Sequence, residues 1–278
     1  MLKQRILTAL WLLPLMLGML FYAPMWLWAA FCGLIAMLTL WEYARMSGLD
    51  KLKINHYLAS TLVFGVIAYA GGWQLPDLVW YVVLAFWLIV MPWWLKAKWK
   101  LNGGWQAYTV GWLLVMPFWF ALVYLRPQPE DALSLLAIMG LVWVADIGAY
   151  FCGKSFGKRK IAPTISPGKS WEGAIGGALC VAVYMTIVWK AGWLAFEAGW
   201  LAFEAGWLAF EAGWLKTILI GLILTVVSVC GDLLESWLKR AAGIKDSSNL
   251  LPGHGGVFDR VDSLIAVISI YAAFVYLF

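Results

Sequence analysis

Five carboxylates in this chain stand where apolar sequence meets charged sequence. Asp146 ends the run ALSLLAIMGLVWVAD and Asp232 ends ILIGLILTVVSVCGD. Glu172 opens one apolar stretch, and Asp259 and Asp262 open the last. Ionisable groups this deep in apolar sequence generally mark a site. Asp232, Glu235, Ser236 and Lys239 are spaced i, i+3, i+4, i+7, so one helix presents all of them on one face. Clustered carboxylates suit Mg²⁺, a hard cation that takes oxygen ligands and bridges to phosphates. The neighbouring Lys154, Lys169, Lys239, Arg240, Lys245 and Arg260 suit the phosphates themselves. Acids and bases together point to phosphoryl or nucleotidyl transfer. The alternative is that acids at helix ends only pair with loop cations or favour helix N-termini. For Glu42, three residues before Arg45, that plainer reading is preferred.

The elements that position these groups are membrane helices. The chain is 64% hydrophobic and 13% charged, against about 25% charged in soluble domains. Its tryptophans gather near the ends of apolar stretches, as at a membrane interface. Apolar runs at 6–23, 25–41, 57–72, 78–95, 107–125, 132–151, 173–189, 217–235 and 262–278 predict an all-α, polytopic integral membrane protein with about nine transmembrane helices. With the N-terminus inside, all 20 basic residues except Arg126, Lys190 and Lys216 fall on the inner side, the positive-inside pattern. The active site then lies on the cytoplasmic face of a cell inner membrane. The first span lacks a clear cleavage site and reads as a retained anchor. The charge of +5 follows from this sidedness and gives no argument for nucleic acid. Cys32, Cys152, Cys180 and Cys230 form no CxxC pair and read as packing residues. With two histidines, His56 and His254, and no CxxC pair, the sequence argues against a zinc site.

Residues 1–130 read as N-terminal transmembrane helices and 131–278 as the catalytic region. Within the latter, 191–211 are three identical copies of AGWLAFE, and a partial copy extends to Leu215. Another span there would place Glu197, Glu204 and Glu211 in lipid and break the charge alternation. An interfacial helix on the outer face is expected instead.

Gly148-Ala-Tyr-Phe-Cys-Gly153-Lys154-Ser155 matches the phosphate-loop pattern GxxxxGKS. That motif requires a strand before a flexible loop, and here it continues a membrane helix, so the match is set aside. The segment SWLKRAAGIKDSSNLLPGHGGVFDRVD (236–262) resembles the signature of the phosphatidate cytidylyltransferase family, also called CDP-diacylglycerol synthases. Ser236, Lys239, Arg240, Lys245, Asp246, Pro252, His254, Gly255, Gly256, Asp259, Arg260 and Asp262 fill its fixed positions. Upstream, ADIGAYFCGKSFGKRKIAPTISPGKSWEG is similar to a second landmark, with Asp146, Lys154, Ser166, Pro167, Lys169 and Glu172 in place.

The resemblance implies that CTP and phosphatidate react to give CDP-diacylglycerol and pyrophosphate. It implies catalytic roles for Asp146, Lys169, Glu172, Asp232, Lys239, Asp259 and Arg260. Asp232 and Asp259 are expected to hold Mg²⁺, with Asp146 and Asp262 as further ligands or support. Lys239, Arg240, Lys245 and Arg260 would grip the triphosphate, and Lys169 and Ser166 the phosphatidate headgroup. Lys154, Ser236, Asp246, His254, Gly255 and Gly256 complete the substrate-binding set. A second, monovalent, cation and a homodimer both stay open. The alternatives are a related CTP-dependent transferase or lipid kinase, and a transporter. A transporter would place acids near the midplane and show paired half-repeats.

Overall fold

A computed structural model describes residues 2–194 and 207–277. The order is α1 (Leu2–Tyr22), α2 (Met25–Met46), α3 (Lys51–Ala70), α4 (Asp77–Ala85), α5 (Met91–Ala97), α6 (Trp105–Tyr124) and α7 (Ala132–Phe156). Then come β1 (Lys160–Ala162), β2 (Ser166–Ser170), α8 (Trp171–Lys190), α9 (Trp207–Ala241) and α10 (Phe258–Leu277). Each of the expected apolar segments is helical. Among the described residues, seven helices or helix pairs are long and apolar enough to cross a membrane, and Leu7–Tyr22 is a shorter apolar helix. The chain is a multi-pass, predominantly helical membrane protein.

Three details go beyond those expectations. An antiparallel hairpin of β1 and β2 joins α7 to α8, pairing Lys160 with Ser170 and Ala162 with Ser166. The all-α reading missed it because Pro163 and Pro167 read as loop. The span at 78–95 is not one regular helix: a π-helical turn at Phe86–Val90 separates α4 from α5. Pro92, which has no N–H to donate, follows directly. The repeat was expected as an interfacial helix or collar on the outer face, and of its residues 195–206 lie outside those described. Its last part is continuous with the following span in α9, which runs without a break from Trp207 to Ala241.

Long-range hydrogen bonds sort the connections between helices to two ends of the bundle. At one end, Arg126 donates to Leu20 O (2.8 Å) and Ala23 O (2.7 Å), supplying partners to carbonyls at the end of α1. Ser134 Oγ there donates to Trp193 O (2.8 Å), joining the start of α7 to the chain after α8. At the other end, Gly103 N donates to Ser47 O (2.8 Å) and Trp237 Nε1 to Trp99 O (2.6 Å). Thr8 Oγ1 donates to Pro252 O (3.0 Å). Helices that run alternately up and down produce this sorting. The second end carries the lysine- and arginine-rich connections.

Glycines set how closely helices α7, α8, α9 and α10 approach. A Cβ at Gly177 would stand 2.7 Å from Ala145 O, and one at Gly173 2.8 Å from Ala149 O. α7 and α8 therefore meet backbone to backbone, as small residues allow in membranes. Gly231 does the same for α9 against α10, since its Cβ would lie 2.7 Å from Asp262 O. Gly177→Ala is expected to destabilise the protein by about 1–3 kcal/mol through overpacking, read as a lower unfolding temperature in detergent.

Candidate active site

α9 supplies the long face of the site. Its Asp232 Oδ2 lies 2.7 Å from Lys169 Nζ, and its Oδ1 accepts from Ser236 Oγ at 3.2 Å. Lys169 comes from β2, so the unexpected hairpin carries this ammonium to the helices. Lys169 Nζ also donates to Val229 O (3.4 Å), and Arg240 Nε donates to Ile165 O (3.4 Å), which ties the hairpin to α9. Ser170 caps α8, accepting from Gly173 N at 3.1 Å. Asp146, Ser166, Lys169 and Asp232 line one cavity of about 450 Å³ between α7, α8, α9 and β2, with Thr225 and Ser228 deeper in its wall.

A second network adjoins the first through the same helices. Lys239 Nζ lies 2.6 Å from both Glu235 Oε2 and Asp259 Oδ1. Asp259 Oδ2 accepts from Ser247 N (2.9 Å), Ser247 Oγ (2.9 Å) and Gly256 N (2.8 Å). Asp262 accepts from Ser263 N (2.8 Å). The Glu235 and Asp259 side chains are 2% and 5% exposed. Both are acids that would be costly to bury without partners.

Asp232 thus meets the Lys169 ammonium, Glu235 and Asp259 meet that of Lys239, and Asp146 lines the cavity that Lys169 and Asp232 border. Glu235 Oε1 is buried with no hydrogen-bond partner. Among the described residues, no three acids or histidines are already gathered closely enough to enclose a metal ion. The charge excess and the oxygen-only donor set nevertheless fit a hard divalent cation.

Other expected residues lie at varying distances from these networks. Glu172 accepts from Lys158 N (3.1 Å) and Arg159 N (3.1 Å), so it holds the entry to the hairpin. Lys154 is exposed, with its ammonium 5.8 Å from the Tyr150 ring centre. Gly148 to Ser155 is helical throughout, as expected when the phosphate-loop match was set aside. A Cβ at Gly153 would lie 3.2 Å from Ser170 Oγ, a tight contact that a shift of a few tenths of an ångström relieves. Gly153→Ala is therefore expected to keep measurable turnover, read as product formed per folded enzyme. Lys245, Asp246 and Arg260 are exposed, and His254 Nδ1 is buried without a hydrogen-bond partner. Gly255 has φ +80°, and a Cβ there would stand 2.7 Å from Asp259 Oδ2.

Glu42 overturns the plainer reading given to it. Its carboxylate does not pair with Arg45, whose guanidinium lies over the Trp41 ring at 4.7 Å. It is fully buried and accepts from Ser247, Ser248, Val257 and Phe258. Its closeness to Arg45 in sequence pointed elsewhere. The usable signal was an acid inside a helix whose neighbours Leu40, Tyr43 and Ala44 are all apolar.

Residues 3–278 match the cytidylyltransferase family. The chain is 43% identical to phosphatidate cytidylyltransferase of Pseudomonas aeruginosa, over 98% of this chain and 96% of that one. It is 44% identical to the Haemophilus influenzae phosphatidate cytidylyltransferase, over 50% of this chain and 44% of that one. The corresponding Bacillus subtilis protein is 42% identical over 46% of this chain and 41% of its own.

Proposed function

This chain belongs to the cytidylyltransferase family, and from that premise we infer that it transfers a cytidylyl group from CTP to phosphatidate. The products are CDP-diacylglycerol and pyrophosphate, and the reaction serves phospholipid biosynthesis. The observation that ties this activity to the fold is the junction of Lys239 with Asp259. It closes the two ends of the 236–262 segment onto one point.

A phosphatidate phosphate oxygen attacks the α-phosphorus of CTP. The new P–O bond forms as the bond to the β-phosphate bridging oxygen breaks, and pyrophosphate leaves with that electron pair. The nucleophile is already ionised, so no general base is required. Two anions must approach, and catalysis rests on charge neutralisation and in-line positioning. Lys169, with Ser166 beside it in the cavity, is suited to the phosphatidate headgroup. Lys239, Arg240, Lys245 and Arg260 are suited to the triphosphate and the departing pyrophosphate. Mg²⁺ would be held by Asp232 and Asp259, with Asp146 and Asp262 around it. When bound it would offset phosphate charge. Formation of CDP-diacylglycerol from CTP, phosphatidate and Mg²⁺ by the purified protein tests this reading, and ATP should not replace CTP.

The site is proposed to face the cytoplasm of a bacterial inner membrane, with the N-terminus on the same side and about nine crossings. The basic connections gathered at the site's end of the bundle support that orientation. With the native cysteines removed, a cysteine at the exposed Asn249 should react with an impermeant thiol reagent only in inside-out vesicles. Labelling from the outer face of intact cells would reverse the orientation.

A further inference from the structure

Glu42 lies in α2, about 200 residues before the segment that binds it. Among the described residues, no basic side chain lies within ion-pair distance of it. A carboxylate buried without a counter-ion is costly. Here two backbone N–H groups and the Ser248 hydroxyl donate to it instead, and it shares the one Ser247 hydroxyl proton with Asp259, bonds that its charge strengthens. Oε1 accepts from Ser248 Oγ and from Val257 N (3.0 Å). Oε2 accepts from Ser247 Oγ (3.0 Å) and from Phe258 N (2.6 Å).

Two features link this contact to the chemistry. Ser247 Oγ stands 3.0 Å from Glu42 Oε2 and 2.9 Å from Asp259 Oδ2, so one hydroxyl bridges the two carboxylates. Phe258 is the first residue of α10, and Asp259 follows it directly. Gly256 supplies an independent sign. A Cβ there would lie 2.0 Å from Ser247 Oγ and 2.4 Å from Glu42 Oε1, so the space a side chain would need is filled by this clasp.

We propose that Glu42 is a positioning residue for cytidylyl transfer. It acts through Ser247 and the first amides of α10 to fix the Asp259 carboxylate against Lys239. The N-terminal helices therefore shape the site as well as anchoring it, and the bond from Thr8 to Pro252 adds α1 to the same connection. This inference rests on the transfer reading above.

Glu42→Gln and Ser247→Ala test it in the full-length protein in detergent. Each Glu42 oxygen faces one backbone N–H, so either orientation of a glutamine sets its NH₂ against a fixed donor. Expected for folded Glu42→Gln is a fall in kcat of about 50-fold or more, with KM for CTP and phosphatidate within about threefold. Amide exchange at Val257 and Phe258 should also quicken. A purely structural Glu42 would lower the yield of folded protein and leave kcat per folded enzyme unchanged. If Glu42→Gln does not fold, Ser247→Ala decides, because it removes the bridge alone, and a fall of about tenfold in kcat is expected. Wild-type kcat in folded Glu42→Gln overturns the proposal, as does wild-type kcat in Ser247→Ala or a loss confined to KM. Failure of the wild-type protein to make CDP-diacylglycerol would instead remove the underlying reading.

Discussion

Asp232→Asn is expected to lower kcat for CDP-diacylglycerol formation by about 10³-fold in a protein that inserts and purifies normally. Asp232 borders, with Asp146, the cavity between α7, α8 and α9. It makes two side-chain contacts, Lys169 Nζ at 2.7 Å and Ser236 Oγ at 3.2 Å. The asparagine carbonyl oxygen can keep Lys169, and its NH₂ can donate to Ser236 Oγ, which reverses that bond. The side chain is 31% exposed, and such partly solvated ion pairs contribute about 1 kcal/mol or less to stability. The fold therefore survives. The negative charge does not survive, and in the proposed reaction that charge would hold the divalent cation and Lys169, whose positive charges offset the two phosphates. Product formation from labelled CTP at saturating Mg²⁺ measures this. Turnover within about tenfold of wild type would take Asp232 out of the centre.

The sequence shows where acids and bases meet, because polar groups in apolar runs stand out. Asp146, Asp232 and Asp262 could be placed near one face from helix alternation alone. The link from Lys169 to Asp232 could not, because it depends on the turn of the hairpin, and SPGKS carries no strand pattern. Gly256 could be seen as a signature glycine, yet its reason lies in Glu42, more than 200 residues away. Local patterns record helices and spacings. A contact between distant segments leaves only single residues as its trace, and one carboxylate beside an arginine is more simply read as a local pair. The continuous α9 was obscured for a related reason, since identical heptads read as a separate unit.

Asp259→Asn is expected to lose turnover and local order together, unlike Asp232→Asn. Asp259 is nearly enclosed, and each of its oxygens accepts from protein donors. Oδ1 faces Lys239 at 2.6 Å, while Oδ2 collects Ser247 N, Ser247 Oγ and Gly256 N. Asparagine has one oxygen for these two sets of donors. With that oxygen toward the loop, its NH₂ meets the Lys239 ammonium, whose remaining partner is Glu235. With the oxygen toward Lys239, the NH₂ meets two backbone N–H groups that cannot rotate away. The first orientation costs less, since a lysine chain can move and an amide cannot. Either way a buried donor loses its acceptor, at a cost of about 1–3 kcal/mol. The unfolding temperature should drop, and amides at Ser247 and Gly256 should exchange faster, while kcat falls by about 10²–10³-fold. Thermal unfolding, hydrogen exchange and product formation on one preparation would separate the two variants. An Asp259→Asn protein with unchanged exchange at Ser247 and Gly256 would show that this carboxylate does not hold the connection.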